Sequence, residues 1–223
     1  MNMYAVEGVT GDVYKATYSG TYSFNSTPVL TYTGSNPYFN GTVDSSDNLY
    51  LLDSGDNNIW KSPATNYSNV ANTGYTTQAP WAVNLDPFGN LLISTFDLNS
   101  SGADSGVVVK GTYVSSSYSY TALSINGLHQ PVDVVENSSG NLYILDMDEY
   151  GYDTDGTFPG ASTVFVVYEA IPNGNTYTLV KVVDGADSHF GKNTVASIAV
   201  DPSGDVFVAE FNSGAGKVIE VKP

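Results

Sequence analysis

The chain has 223 residues, with 23 acidic side chains against 7 basic ones, all of them lysines, and a formal net charge of -16. It contains no cysteine, which excludes a disulfide framework, a thiolate metal site and a cysteine nucleophile and leaves stability to packing and backbone pairing. The acidity repels phosphate backbones and anionic lipid surfaces, so cations or cationic proteins suit the chain as partners and nucleic acid does not.

The chain opens on Asn2, Met3, Tyr4, Ala5, Val6 and Glu7, a run that matches only the second half of a motif found in full further on. The complete motif reads DSSDNLYLLD from Asp44, DPFGNLLIST from Asp86, NSSGNLYILD from Asn137 and DPSGDVFVAE from Asp201. Recurrence of this kind marks a repeat protein. Each full unit starts with a short strand: YFNGTV from Tyr38, PWAVNL from Pro80, PVDVVE from Pro131 and VASIAV from Val195. A turn follows, with Asp or Asn first, Ser or Pro second and Gly or Asp fourth, which suits a hydrogen-bonded turn with a positive φ. The second strand, Leu49 to Asp53 and its counterparts from Leu91, Leu142, Val206 and Met3, is mostly apolar and fits burial on both faces. A third strand is expected to close at Lys15, Lys61, Lys110, Tyr168 and Lys222, with the lysine stems covering apolar surface. A more variable fourth strand follows, such as TPVLTYT from Thr27 and TYTLVKVV from Thr176. No amphipathic helical periodicity is present, and no apolar run is long enough to span a membrane.

Four antiparallel strands per unit, at intervals of roughly 42 to 64 residues, predict an all-β propeller of four-stranded blades. The whole chain, 1–223, is expected to form one domain of about five blade units, roughly 18 strands, with the first and last blades incomplete. Because it begins inside a unit and shows no secretion signal, a processed product or a piece of a longer polypeptide is expected. Open strand edges invite pairing with another chain. The segment NLYLLDSGDNNIWK, preceded by its DSSD turn, resembles the NHL repeat, and the pattern is shared by lactonase-like six-bladed propellers. The resemblance implies the fold without selecting an activity, since this architecture hosts lactonases, lyases, sensor domains and binding modules.

In a propeller the first strand of each blade lines the axis, and its start meets the end of the second strand on one face. That face should gather Tyr38, Phe39, Asn40, Trp81, His129, Gln130, Asp133 and Asn193 with Glu7, Asp53, Asp97, Asp146 and Glu210. An acidic ring around an aromatic-lined opening suits a cation or polar ligand; equally, the resemblance to NHL repeats implies acids that close this strand and accept backbone hydrogen bonds from the following loop. Asp133 stands out, because a carboxylate at an inner-strand position needs a partner or water. The insertion DMDEYGYDTDGTFPG brings together Asp146, Asp148, Glu149, Asp153 and Asp155, a set of oxygens that could hold calcium or simply form a solvated loop. With His129 and His189 as the only histidines, a three-histidine zinc site is excluded. The Asn-Gly segment at Asn126 is similar to one that carries a metal ligand in lactonase-like propellers.

These observations lead to an extracellular or cell-surface, non-enzymatic propeller serving as a recognition or assembly module. Its partner would be a protein or a polar or cationic ligand on the acidic face, with calcium as the candidate cofactor. The tyrosine-, serine- and asparagine-rich composition and the sequons at Asn25, Asn40, Asn66, Asn99 and Asn137 fit a glycosylated surface. The alternatives are a metal-dependent hydrolase or lyase using Asp133 and His129, and a homo-oligomeric structural subunit completed by neighbouring chains.

Overall fold

The computed structural model describes residues 2–7, 10–31, 40–53, 55–76, 80–95, 106–147, 165–184, 194–212 and 215–222. These form eighteen strands in five antiparallel sheets. The first sheet holds β1 (Asn2–Val6), β2 (Val13–Tyr18) and β3 (Tyr22–Phe24). The second holds β4 (Asn40–Val43), β5 (Leu49–Asp53), β6 (Asn58–Ser62) and β7 (Ala71–Asn72), and the third β8 (Pro80–Leu85), β9 (Leu91–Thr95), β10 (Val107–Val114) and β11 (Ser117–Ala122). The fourth is built from β12 (Pro131–Glu136), β13 (Leu142–Met147), β14 (Phe165–Asn173) and β15 (Thr176–Asp184), and the fifth from β16 (Thr194–Val200), β17 (Val206–Asn212) and β18 (Ala215–Val221). Each sheet is a meander in chain order, so the fold is a five-bladed propeller whose first and last blades have three strands, as the repeat pattern predicts. No helix long and apolar enough to cross a membrane occurs among the described residues.

One turn chemistry builds the first hairpin of every full unit. The acceptor oxygen of the leading residue takes the N–H groups two and four positions on: Asp44 binds Ser46 and Asn48, Asp86 binds Phe88 and Asn90, Asn137 binds Ser139 and Asn141, and Asp201 binds Ser203 and Asp205, at 2.8 to 3.0 Å. The fourth turn residue has a positive φ in all four, at Asp47 (64°), Gly89 (83°), Gly140 (85°) and Gly204 (93°), a region glycine enters without steric cost. Asp47 replaces glycine where its carboxylate is needed: it accepts hydrogen bonds from Asn2 Nδ2 at 2.6 Å and Lys15 Nζ at 3.3 Å, fastening the first blade to the second.

The second strands β5, β9 and β13 are buried along Leu49–Asp53, Leu91–Thr95 and Leu142–Asp146 because each of their two faces meets a different blade. Alternate side chains of a strand point to opposite faces. Leu49 and Leu51 join Val13 and Leu30 between blades one and two, whereas Tyr50 and Leu52 join Val83, Leu91 and Ile93 between blades two and three. Leu92 packs with Val134, Leu142 and Ile144, and Tyr143 and Leu145 pack with Ile198, Val206 and Val208. Among the described residues, four apolar clusters thus occupy the four interfaces between consecutive blades. Tyrosines extend the interface of blades two and three outward: Tyr118 donates to Tyr50 across 3.0 Å, and Tyr75 meets Tyr120 edge-on with ring centroids 5.2 Å apart.

Two expectations shift in register. The lysine position of the third strand, paired with the second residue of the second strand, is held by Lys15, Lys61 and Lys110 but by Glu169 and Glu220 in the last two blades, not by Tyr168 and Lys222. The third strands also run past this position, since the hairpins β10–β11 and β14–β15 extend outward. In blade one the outer strand is Tyr22–Phe24, and among the described residues of the expected TPVLTYT strand only Leu30 forms a bridge, to Val13.

Candidate functional site

The inner strands β4, β8, β12 and β16 pack one against the next around the axis. A bulge follows the first pair in β8 and β12, at Pro80/Ala82 and Pro131/Asp133, and the second pair in β16, at Val195/Ser197. A bulge inserts one unpaired residue and re-aims its neighbours. Trp81 is such an inserted residue and stands 41% exposed.

Beyond the bulge, Asp133 is 3% exposed and its two oxygens receive four donors from three blades. Oδ1 accepts Asn84 Nδ2 at 2.7 Å and the Val134 N–H at 2.9 Å, and Oδ2 accepts Ser197 Oγ at 2.7 Å and the Ile198 N–H at 2.9 Å. Burial pushes its pKa up, against the pull of Ser197, the two backbone donors and Asn84. The same repeat position in β4, Asn40, accepts the Val83 N–H at 3.2 Å. Where Ala82 stands in β8 and offers no acceptor, Asp133 serves the Val134 N–H itself. This position therefore works as a polar clamp between inner strands.

Asp146 forms a second network. It is 1% exposed, with Oδ2 accepting the His129 N–H at 2.9 Å and Oδ1 the Gln130 N–H at 2.6 Å. The carbonyls of the same two residues accept the Gly106 and Met147 N–H groups, each at 3.0 Å. The segment entering β12 is thus pinned through four backbone groups. Gly106 fits because it has no side chain: a Cβ there would overlap Pro131 Cδ and sit 2.9 Å from the His129 and Thr95 carbonyl oxygens. His129 Nδ1 lies 3.8 Å from Asp146 Oδ2.

The other strand-closing acids divide by environment. Asp53, 2% exposed, accepts the Asp56 N–H at 3.2 Å, and Glu210, 3% exposed, pairs with Lys217 at 3.0 Å. Glu7 is exposed and accepts Thr10 Oγ1 at 2.8 Å. In β9 the equivalent register belongs to Thr95, which pairs with Pro80. Asn126 lies exposed on the loop before Leu128. Tyr38, Phe39, Asp97, Asn193, His189, Asp148, Glu149, Asp153 and Asp155 lie outside the described residues, as does Asn99. Among the described residues no group of three or more His, Asp or Glu side chains is gathered for a metal, and each Asp146 oxygen is already engaged by a backbone donor. The sequon asparagines Asn40, Asn66 and Asn137 use their amide oxygens as turn or strand acceptors, while Asn25 is exposed.

One ion cluster had no sequence signal beyond its lysine. Lys110 Nζ lies 2.7 Å from Asp86 Oδ2 and 3.5 Å from Glu136 Oε2, joining blades three and four. Burial raises the Asp86 pKa, but the Lys110 contact and the Asn90 hydrogen bonds outweigh it and hold the carboxyl below its usual range. Burial pushes Glu136 up, opposed by Lys110.

The geometry defines a five-bladed all-β propeller with a polar, hydrogen-bonded axis. No protein-family model matches the chain, and no curated protein matches it in sequence. Solved structures do. A nidogen/laminin complex gives a TM-score of 0.65 at 14% identity over 98% of this chain and 77% of that one. A putative gluconolactonase gives 0.59 at 13% identity, covering 99% and 73%. A calcium-binding protein, regucalcin, from Agrobacterium tumefaciens gives 0.59 at 12% identity, covering 97% and 66%. These are similarities of fold, shared by enzymes and binding proteins alike.

Proposed function

We propose that this chain is a non-enzymatic recognition or assembly module of NHL type that works at or outside the cell surface. The observation that carries this reading is the employment of Asp133: three of its four contacts come from the neighbouring inner strands, and the fourth is the Val134 N–H of its own strand. A general base must reach a substrate proton, whereas this carboxylate is buried and surrounded by donors belonging to the fold. The likeness to the nidogen/laminin complex supports a protein partner, and exposed Trp81 on its bulge is the anchor of the kind that interfaces favour. The insertion after Asp146, with Asp148, Glu149, Asp153 and Asp155, is the place this reading assigns to calcium. The test is a binding assay with a cognate partner or ligand on wild type and Trp81→Ala. Loss of binding at an unchanged melting temperature supports the reading, and retained binding moves recognition away from the axis.

The approach of His129 Nδ1 to Asp146 Oδ2 favours a second reading, a metal-dependent hydrolase or lyase like the putative gluconolactonase in fold. In that case lactone hydrolysis would require added divalent cation and fall on His129→Ala.

A further inference from the structure

We propose that two tyrosine pairs on the outer hairpins, Tyr18 with Tyr22 and Tyr113 with Tyr118, are sites of oxidative cross-linking, where hydrogen peroxide and a peroxidase-type one-electron oxidant join the two rings of a pair by a carbon–carbon bond. Each bond staples an edge strand to its neighbour within one chain. The inference stands apart from the recognition reading and from its test.

Both pairs stand directly opposite in register, Tyr18 with Tyr22 in the β2–β3 hairpin and Tyr113 with Tyr118 in the β10–β11 hairpin. Bonded and unbonded pairs alternate along an antiparallel ladder. In the first hairpin the Asn25 N–H donates to the Lys15 carbonyl at 2.9 Å and the Ser19 N–H to the Thr21 carbonyl at 3.2 Å, so Thr17 and Ser23 form a bonded pair and Tyr18 and Tyr22 do not. In the second the Leu123 N–H donates to the Val108 carbonyl at 2.8 Å. Counting on from Val108, Thr112 and Ser119 form a bonded pair and Tyr113 and Tyr118 do not. Side chains approach most closely at unbonded pairs. The ring centroids lie 5.1 Å apart in the first pair and 5.0 Å in the second, with the planes tilted by 52° and 57°.

Access and order set these pairs apart from the other tyrosine contacts. Tyr18, Tyr22 and Tyr113 are exposed to an oxidant, whereas Tyr50 and Tyr75, which meet Tyr118 and Tyr120 edge-on, are buried. Tyr4 and Tyr67 are farther apart, at 6.2 Å, and meet through their hydroxyls. In the second pair both rings are held in place: the Lys61 ammonium lies 5.6 Å from the Tyr113 centroid, and the Tyr118 hydroxyl donates to Tyr50. The two-residue turn between them fixes the register, with Ser115 and Ser116 at φ of 48° and 83°, as hairpin turns of this length require. Rings already in contact couple in a unimolecular step, ahead of collisions between chains. Each phenol gives one electron to the oxidant and its hydroxyl proton to water. The two phenoxyl radicals join at the carbons ortho to their oxygens, and the displaced ring hydrogens return to those oxygens as protons, restoring both phenols. Two hydrogens leave the pair, and with them one hydrogen peroxide becomes two waters. The strands so tied, β3 and β11, are terminal in their sheets. A link there restrains fraying in a chain that has no cysteine to form a disulfide.

The test treats the full chain at high dilution with a haem peroxidase and hydrogen peroxide, and reads intact mass, dityrosine fluorescence and the linked peptides. A monomer lighter by two hydrogens per link is expected, with Tyr18 joined to Tyr22 and Tyr113 to Tyr118. Phenylalanine keeps the ring but has no hydroxyl to oxidise. Tyr18→Phe should therefore lower the yield of the first link at least about tenfold and Tyr113→Phe that of the second, and the link each variant keeps reports that it is folded. In the linked chain, amide exchange at Ser23 and Ser119, the bonded partners of Thr17 and Thr112, should slow by about tenfold. Dityrosine persisting in the monomer of the double variant, links formed chiefly between chains, or no link under conditions that couple free tyrosine would overturn the proposal. Unchanged exchange at Ser23 and Ser119 in the linked chain would overturn the stapling.

Discussion

Ser197 Oγ donates to Asp133 Oδ2 across 2.7 Å and ties the inner strand of the last blade to that of the blade before it. On the far side of the same carboxylate, Asn84 Nδ2 donates from the preceding blade at 2.7 Å. Truncating either donor should cost about 1–2 kcal/mol in urea unfolding. Because both act through one acceptor, the double variant Asn84→Ala/Ser197→Ala should depart from additivity by roughly 0.5 kcal/mol or more. Strict additivity would show that the two contacts are independent.

Asp146 pins the segment entering β12 through the His129 and Gln130 N–H groups. Asp146→Ala leaves two backbone donors without their acceptor, at a cost of about 2–4 kcal/mol. Amide exchange should quicken first at His129 and Gln130. Gly106→Ala should loosen the same segment from outside, because a Cβ at that position overlaps Pro131 Cδ. Unchanged protection in both variants would show that the segment is held elsewhere.

The Asp86–Lys110 contact sets a pH window. The folded pKa of Asp86 is depressed, so its contribution is present above the ordinary carboxylate range, about 4, and is lost as pH falls through the lower folded value. Burial lowers the Lys110 pKa, but Asp86 and Glu136 outweigh it and the net shift is upward. Its contribution therefore persists up to about pH 10 and is lost only as pH rises through the folded value. Lys110→Met should lower stability near neutrality by about 1–3 kcal/mol and flatten the acid limb of the stability profile. An unaltered acid limb would remove the pair from the account.

Tyrosine absorbance should titrate in two phases. Burial, and for Tyr4 its bond to Tyr67, push Tyr4 and Tyr120 up to about 12. With folded values above the unfolded one, their neutral forms stabilise the fold below about pH 10, and that contribution disappears as pH rises through the folded values. Tyr120→Phe should remove amplitude from the late phase only.

Much of the fold is legible because its signals are local. The leading Asp or Asn of each turn, the positive-φ position four and the apolar second strand lie within ten residues of one another, and each predicts its own hairpin. The incomplete terminal blades follow from counting those units. The role of Asp133 is not legible, because its partners lie 49 residues before it and 64 after it and only ring geometry brings them together. The lysine series misaligned for a related reason. Sequence matching placed Tyr168 and Lys222 in it, whereas strand pairing assigns the position to Glu169 and Glu220, whose charge is opposite. Asp146 was legible as a strand-closing acid, but the His129 and Gln130 N–H groups that it accepts come from the loop before the inner strand.

On the proposed reading, the Asp133 carboxylate holds blades together and performs no chemistry. Urea unfolding and lactone hydrolysis measured together on wild type and Asp133→Asn test it most directly. An amide cannot accept all four donors, so a loss of about 2–4 kcal/mol with no change in hydrolysis above background is predicted. A variant as stable as wild type that abolishes a measurable turnover would contradict the claim and make Asp133 a catalytic group.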